Sequence, residues 1–212
     1  MGVIITVAQQ KGGSGKTTLA ANLAVGFLRR GCRVALVDTD PQGSLGRWFM
    51  TRLETDETLC ADLDFATSSA WGITYETRKL SERCDVVIID TPPKADSDLR
   101  PALRVADLVV VPVSMSQVDL WATEGVLDLA KREERDTIVV LNRSRPNTRL
   151  AGEVSASAEK LDAALAETQF ANRVVYAETL GQGYGAAEGK KTPARDEVDS
   201  LAAEVAKRLG LG

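Results

Sequence analysis

Residues 9–18 read Gln9-Gln10-Lys11-Gly12-Gly13-Ser14-Gly15-Lys16-Thr17-Thr18. An apolar, β-branched run at residues 3–8 precedes them, and residues 17–30 carry Leu19, Ala20, Leu23, Ala24, Phe27 and Leu28 on one helical stripe. A strand, a glycine-rich bend and a helix N-terminus in this order point backbone N–H groups at a polyphosphate. The first amides of a helix have no intrahelical partner, and its dipole favours negative charge there. The stretch therefore reads as a phosphate-binding loop in which Gly12, Gly13, Ser14, Gly15, Lys16, Thr17 and Thr18 hold the nucleotide. Lys16 adds charge, and the Thr17 hydroxyl is a ligand for Mg²⁺. The usual pattern has glycine five residues before Gly15; here Gln10 stands there, and a second lysine, Lys11, follows it.

Outward from the loop, apolar runs recur at residues 33–37, 85–89, 107–113, 137–141 and 173–176, with helical stretches between them. Their apolarity is continuous rather than alternating, so both faces of each strand are covered, as in a parallel sheet. The expected fold is α/β: a doubly wound, mostly parallel twisted sheet with helices on both faces, its ligand beyond the carboxyl ends of the strands. Gly31 stands where the first helix should stop. A last helix is expected over residues 193–209, with Thr192 as N-cap, Pro193 at its first position and an apolar stripe of Val198, Leu201, Ala202, Val205 and Leu209. Residues 51–75 and 181–192 read as the least regular stretches. One domain over residues 1–212 is expected.

Composition excludes several classes. The chain has 212 residues, 44% of them hydrophobic, with 26 Lys+Arg against 30 Asp+Glu and a net charge of −4. Disorder, collagen-like repeats and disulfide scaffolds do not fit that balance. With no histidine, imidazole chemistry is excluded; Cys32, Cys60 and Cys84 lie far apart, which reads as buried reduced thiols rather than a zinc site. No apolar run approaches the roughly 18 residues that span a bilayer. A cytoplasmic protein without a membrane partner is expected. Trp48, Trp71 and Trp121 do not interleave with basic residues, and read as core or interface.

The motif Lys11 to Thr17 resembles the deviant Walker A loop of the ParA/MinD ATPases. Asp38-Thr39-Asp40-Pro41-Gln42-Gly43 resembles the first switch of that group, and Val86-Val87-Ile88-Ile89-Asp90-Thr91-Pro92-Pro93 its Walker B strand and second switch. The length, Ser44 to Trp48 and Arg173 to Tyr176 are most similar to the short, ParF-type partition members, which lack a leading helix-turn-helix. The resemblance implies a P-loop NTPase with ATP and Mg²⁺ as cofactors. It implies that Asp40 orients the attacking water, that Asp38 supports the water shell of the metal and that Asn142 contacts the base. It further implies that Lys11 crosses a dimer interface to the partner's phosphates, that the ATP-bound homodimer holds nonspecific DNA, and that a ParB-like or other adaptor stimulates slow hydrolysis. The cargo would be a plasmid, a chromosome locus or a protein cluster, and the ATP-bound form would be nucleoid-associated.

The residues alone carry part of this. Asp90 ends an apolar strand beside the loop strand and suits a metal held through water; Lys16 neutralises growing charge. Asp38 and Asp40, two apart at a strand end, are also what a simple Asx turn looks like. Asn142 is followed by Arg143, Ser144 and Arg145, so the aspartate that reads guanine is missing and adenine is favoured; an asparagine capping a strand is the plainer reading. Arg173, Lys190, Lys191 and Arg195 form one basic cluster and Arg143, Arg145 and Arg149 another; either suits DNA phosphates, and either suits a solvated surface. Lys11, five residues before Lys16, would be repelled from the same side of the phosphates and should face outward, as an ordinary loop lysine also would. Lys94 has no assigned role. A MinD-like positioning ATPase, a P-loop metabolic kinase or synthetase, and an iron–sulfur ATPase are the competing readings; no lid and no suitably placed cysteines are visible for the last two.

Overall fold

The computed structural model describes residues 1–93, 96–145 and 149–211. Lys94 falls outside them, as does the side chain of Arg149. In chain order the elements are β1 (Val3–Val7), α1 (Lys16–Arg29), β2 (Val34–Asp38), α2 (Ser44–Thr55), a 3₁₀ turn (Glu57–Cys60), β3 (Leu63–Thr67), α3 (Ile73–Ser81), β4 (Val86–Asp90) and α4 (Asp96–Val105). They continue as β5 (Leu108–Ser114), α5 (Gln117–Arg132), β6 (Thr137–Ser144), α6 (Arg149–Ala158), β7 (Ala164–Leu165), β8 (Phe170–Ala171), α7 (Val174–Gly181) and α8 (Pro193–Arg208).

The strands form one sheet in the order β3-β2-β4-β1-β5-β6-β7, with β8 also on β6, and every described pairing is parallel. The chain leaves β1 toward β2 on one side and returns across it to reach β5 on the other. That reversal opens a crevice at the carboxyl end of β1. Successive side chains of a strand face opposite ways, so β4 sends Val86 and Ile88 to one core and Val87 and Ile89 to the other. The first core is closed by α1 and α8 through Leu23, Phe27, Val198 and Leu201. The opposite face is covered through Leu99, Leu103, Val126 and Ala130 from α4 and α5 and through Ile73 and Leu80 from α3. Both faces are helix-covered, as the continuous apolar runs require.

Local chemistry explains the element ends. The Thr192 side chain accepts from Arg195 N, Pro193 opens α8, and Lys207 and Arg208 lie in its last turn. At the crossing of α1 and α8, a Cβ on Gly26 would meet the Ala202 Cβ at 2.7 Å, so only glycine permits that approach.

Several sequence expectations change. Residues 173–176 are not a strand: Arg173 is the extended N-cap of helix α7. Val174 is exposed, whereas Tyr176 is buried and its ring stacks on Phe170 at 5.0 Å. A strand would have put Val174 and Tyr176 on one face; docking on the core overrides β-branched propensity here. Residues 51–75 hold the end of α2, the 3₁₀ turn and edge strand β3, whose Asp64 broke the apolar pattern. The two-residue strands β7 and β8 are too short for any pattern. Trp48 is core, but Trp71 and Trp121 are 90% and 65% exposed. All three cysteines are free, and only Cys84 is fully buried.

Candidate functional site

The loop between β1 and α1 lies at the crevice. Gly13 and Gly15 have φ of 76° and 90°, and Gly15 caps α1 without a side-chain bond. The first helical bond runs from Leu19 N to Gly15 O at 2.9 Å, so the amides of Lys16, Thr17 and Thr18 are not taken by the preceding turn. A Cβ on Gly15 would lie 2.2 Å from Asn142 Nδ2, which glycine avoids in addition to the strain of its φ. Lys16 is buried, and burial lowers its pKa while Asp90 and Asp40 raise it.

The metal-side residues meet where three strands end. Parallel register sets Asp90 beside Val7 of β1 and beside Asp38 of β2. Asp90 is 1% exposed; its Oδ2 accepts from Thr17 Oγ1 at 2.6 Å, and its Oδ1 has no partner. Burial, against the Thr17 hydrogen bond and with the charge of Asp38, pushes this carboxyl up to about 7. Ser14 Oγ is likewise buried and unpartnered. Buried polar groups are normally satisfied, so these two orphans mark where a polar ligand and a cation fit. Among the described residues no group of three His, Cys, Asp or Glu can hold a metal. That suits Mg²⁺, which uses one or two protein oxygens, phosphate and water. Thr17 and Asp90 are the protein ligands that fit it.

The turn after β2 is braced. Asp38 accepts from Asp40 N at 3.0 Å and from Gly46 N at 3.0 Å, so both its oxygens shape the turn into α2. Burial raises the Asp38 pKa and these amides lower it. Asp40 Oδ1 accepts from Gln42 N at 2.9 Å. Both Thr39 N and Thr39 Oγ1 donate to Asp90 O, at 3.0 and 2.9 Å, which ties the end of β2 to the end of β4.

Lys11 is not a loose loop lysine: its Nζ is ion-paired with Asp119 in the first turn of α5. Sequence reasoning missed Asp119. The trace was there as Ser116-x-x-Asp119 at a helix start: Asp119 N donates to the Ser116 Oγ cap at 3.1 Å, and that hydroxyl donates to Asp119 Oδ2 at 2.7 Å. Val118 and Trp121 are exposed next to this pair.

Asn142 braces the loop. Its Nδ2 donates to Ser14 O at 2.8 Å and its Oδ1 accepts from Arg143 N at 2.9 Å. Beside it opens a cleft of about 310 Å³, bordered by Thr18, Asn142, Arg143, Asn172, Arg173 and Tyr176. Arg173, 35% exposed, donates twice to Glu197 Oε1, at 2.9 and 2.7 Å. Arg195 lies 3.7 Å from Asp199, and Lys190 and Lys191 are exposed.

A glycine-rich loop between a strand and a helix, at the switch point of a parallel sheet with an orphaned aspartate across from its threonine, defines a P-loop nucleotide-binding protein. The chain belongs to the CobQ/CobB/MinD/ParA nucleotide-binding domain family, whose model matches residues 5–181. It is 28% identical over 210 residues, 95% of each chain, to the maintenance of carboxysome distribution protein A of Halothiobacillus neapolitanus. It is 37% identical over 149 residues, 59% of each chain, to the chromosome-partitioning ATPase Soj of Thermus thermophilus. Its fold matches an ATP complex of Cyanothece McdA with a TM-score of 0.77 at 18% identity, covering 100% of this chain and 97% of that one.

Proposed function

We propose that this chain is a ParA-type switch: it binds ATP and Mg²⁺, pairs with a second copy, and hydrolyses ATP slowly until an adaptor stimulates it. The ATP-bound dimer holds DNA without regard to sequence, associates with the nucleoid, and segregates or positions a cargo. Similarity along 95% of a carboxysome distribution protein supports a protein assembly as cargo, and the similarity to Soj supports a chromosome locus. No described helix is long and apolar enough to cross a membrane.

The observation that carries the reading is the division of labour between two lysines of one loop. Lys16 is buried and feels the charges of Asp90 and Asp40, whereas Lys11 is 41% exposed and ion-paired with Asp119. A lysine so placed serves charge arriving from outside, as an arginine finger does. The loop amides and Lys16 hold the triphosphate. Bound Mg²⁺, held by Thr17 and Asp90 with Asp38 behind them, would neutralise the bridging oxygens. Asp40, at the turn facing the loop, accepts a hydrogen bond from the attacking water and aims it. DNA is held by exposed Lys190 and Lys191, with Arg195 beside them, through released counterions.

The test is Lys11→Ala. Measured by multi-angle light scattering with a nonhydrolysable ATP analogue, the parent should dimerise and the variant should stay monomeric while still binding nucleotide. Hydrolysis and salt-sensitive DNA retention should disappear with the dimer. A variant that dimerises and turns over like the parent refutes the reading.

A further inference from the structure

The helices that follow the loop after β1 and the turn after β2 converge on one short stretch, residues 182–188. α1 reaches it from Asn22, whose Oδ1 accepts from Ala186 N at 2.7 Å. α2 reaches it through Arg52, whose side chain is 2% exposed: Nη1 donates to Gly183 O at 3.1 Å, and Nη1 and Nη2 donate to the two oxygens of Glu188 at 2.7 Å each. Trp48 Nε1 donates to Tyr184 O at 3.2 Å and Thr55 Oγ1 to Gln182 O at 3.1 Å. The backbones touch as well, since a Cβ on Gly183, at φ 76°, would lie 2.4 Å from Arg52 Cα.

At its other end α2 is tied to the turn after β2, because Asp38 accepts from both Asp40 N and Gly46 N. The helix therefore acts as a strut, pinned to the turn by its first residues and to the 182–188 stretch by Trp48, Arg52 and Thr55. The charge of Asp40 is felt at Lys16, so a triphosphate seated on Lys16 sets negative charge against that turn. On the far side, Glu188 is separated from Thr192, the N-cap of α8, only by Gly189, Lys190 and Lys191. The two exposed lysines thus lie on a short bridge with one anchor on α2 and one on α8. A buried ion pair adds little net stability over apolar side chains of similar volume, and its best-attested use is to fix register.

We propose that Arg52 and Glu188 are positioning residues that pass the setting of the turn after β2 to the Lys190–Lys191 bridge, so that these lysines are placed for DNA phosphates only when the nucleotide site is filled. The path is mechanical: filling the site re-seats Asp38 and Asp40, Asp38 carries the first turn of α2 through Gly46 N, and Arg52 carries Glu188. This rests on the switch reading above and adds to it the contact through which DNA retention answers to ATP.

The experiment reads both ends of the strut by amide hydrogen exchange and mass spectrometry. In the parent, a nonhydrolysable ATP analogue with Mg²⁺ should slow exchange about ten-fold in peptides spanning residues 38–46 and 182–191 together. Arg52→Met combined with Glu188→Leu fills the space without the ion pair, an exchange that is often neutral for folding. In that double variant residues 38–46 should still slow and residues 182–191 should not, and the ratio of DNA affinities with and without the analogue should fall about ten-fold. Should it not fold, Trp48→Phe combined with Thr55→Val decides: it removes two bonds to the 182–188 stretch, keeps the ion pair, and should weaken the response of residues 182–191 while sparing residues 38–46. A parent in which residues 38–46 slow and residues 182–191 do not overturns the proposal. So do variants in which residues 182–191 slow as in the parent, as protection by a dimer contact would produce. A parent that binds no analogue overturns the nucleotide reading beneath it, whereas coupled exchange in a parent that retains no DNA overturns the DNA reading alone and supports the strut.

Discussion

Asp90→Asn should make the metal-free protein more stable at alkaline pH while removing its use of Mg²⁺. The side chain is 1% exposed, one oxygen takes the Thr17 hydroxyl and the other has nothing. Burial displaces its pKa from 3.8 to about 7. The folded value lies above the unfolded one, so the native state binds more protons between those limits. The stabilising contribution of the neutral carboxyl is complete below pH about 4 and is lost as pH rises through about 7. At about 1.4 kcal/mol per pH unit, ionised Asp90 costs the empty protein up to ~4 kcal/mol at pH 8. Loop relaxation and water reaching the site reduce what is realised to about 2 kcal/mol, which for a chain this long is roughly 4–8 °C in Tm. Asparagine keeps an acceptor for Thr17 and never ionises. The assay is urea unfolding of EDTA-treated parent and variant at pH 5, 6, 7 and 8. The variant should gain on the parent from pH 5 to about 7 and level off by pH 8, and Mg²⁺ should no longer tighten its ATP binding. Parallel stability curves, or a variant weaker than the parent at pH 8, would refute the assignment of Asp90 as a buried carboxylate awaiting a cation.

Two further outcomes are expected. Asp40→Ala should bind ATP and dimerise but release no phosphate, so that a long-lived dimer accumulates; unchanged turnover in a phosphate-release assay would show that another group orients the water. Glu188→Ala should cost about 3–5 kcal/mol in urea unfolding, because it leaves the Arg52 guanidinium, 2% exposed and paired through two 2.7 Å bonds, without its counter-charge. A loss under about 1 kcal/mol would mean that Arg52 finds solvent instead.

Periodicity and spacing are local properties, and what depends on them was legible in the chain itself. The strand, loop and helix around Lys16 follow from contiguous residues, as do the doubly covered strands and the α8 boundaries set by Thr192 and Pro193. Asp90 at the end of a fully apolar strand is legible too, but its partner Thr17 stands 73 residues away and reaches it only through the pairing of β1 with β4. The sheet order decided the rest. Asp119 stands 108 residues from Lys11, and Asn142 128 residues from Ser14; no window of sequence contains either pair. Val174 and Val175 have strand propensity, yet α7 forms because Tyr176 finds Phe170 and Glu197 only in the helical conformation. The same carboxylate pairs with Arg173, since a residue's charge is known from its type but its partner depends on what the fold sets beside it.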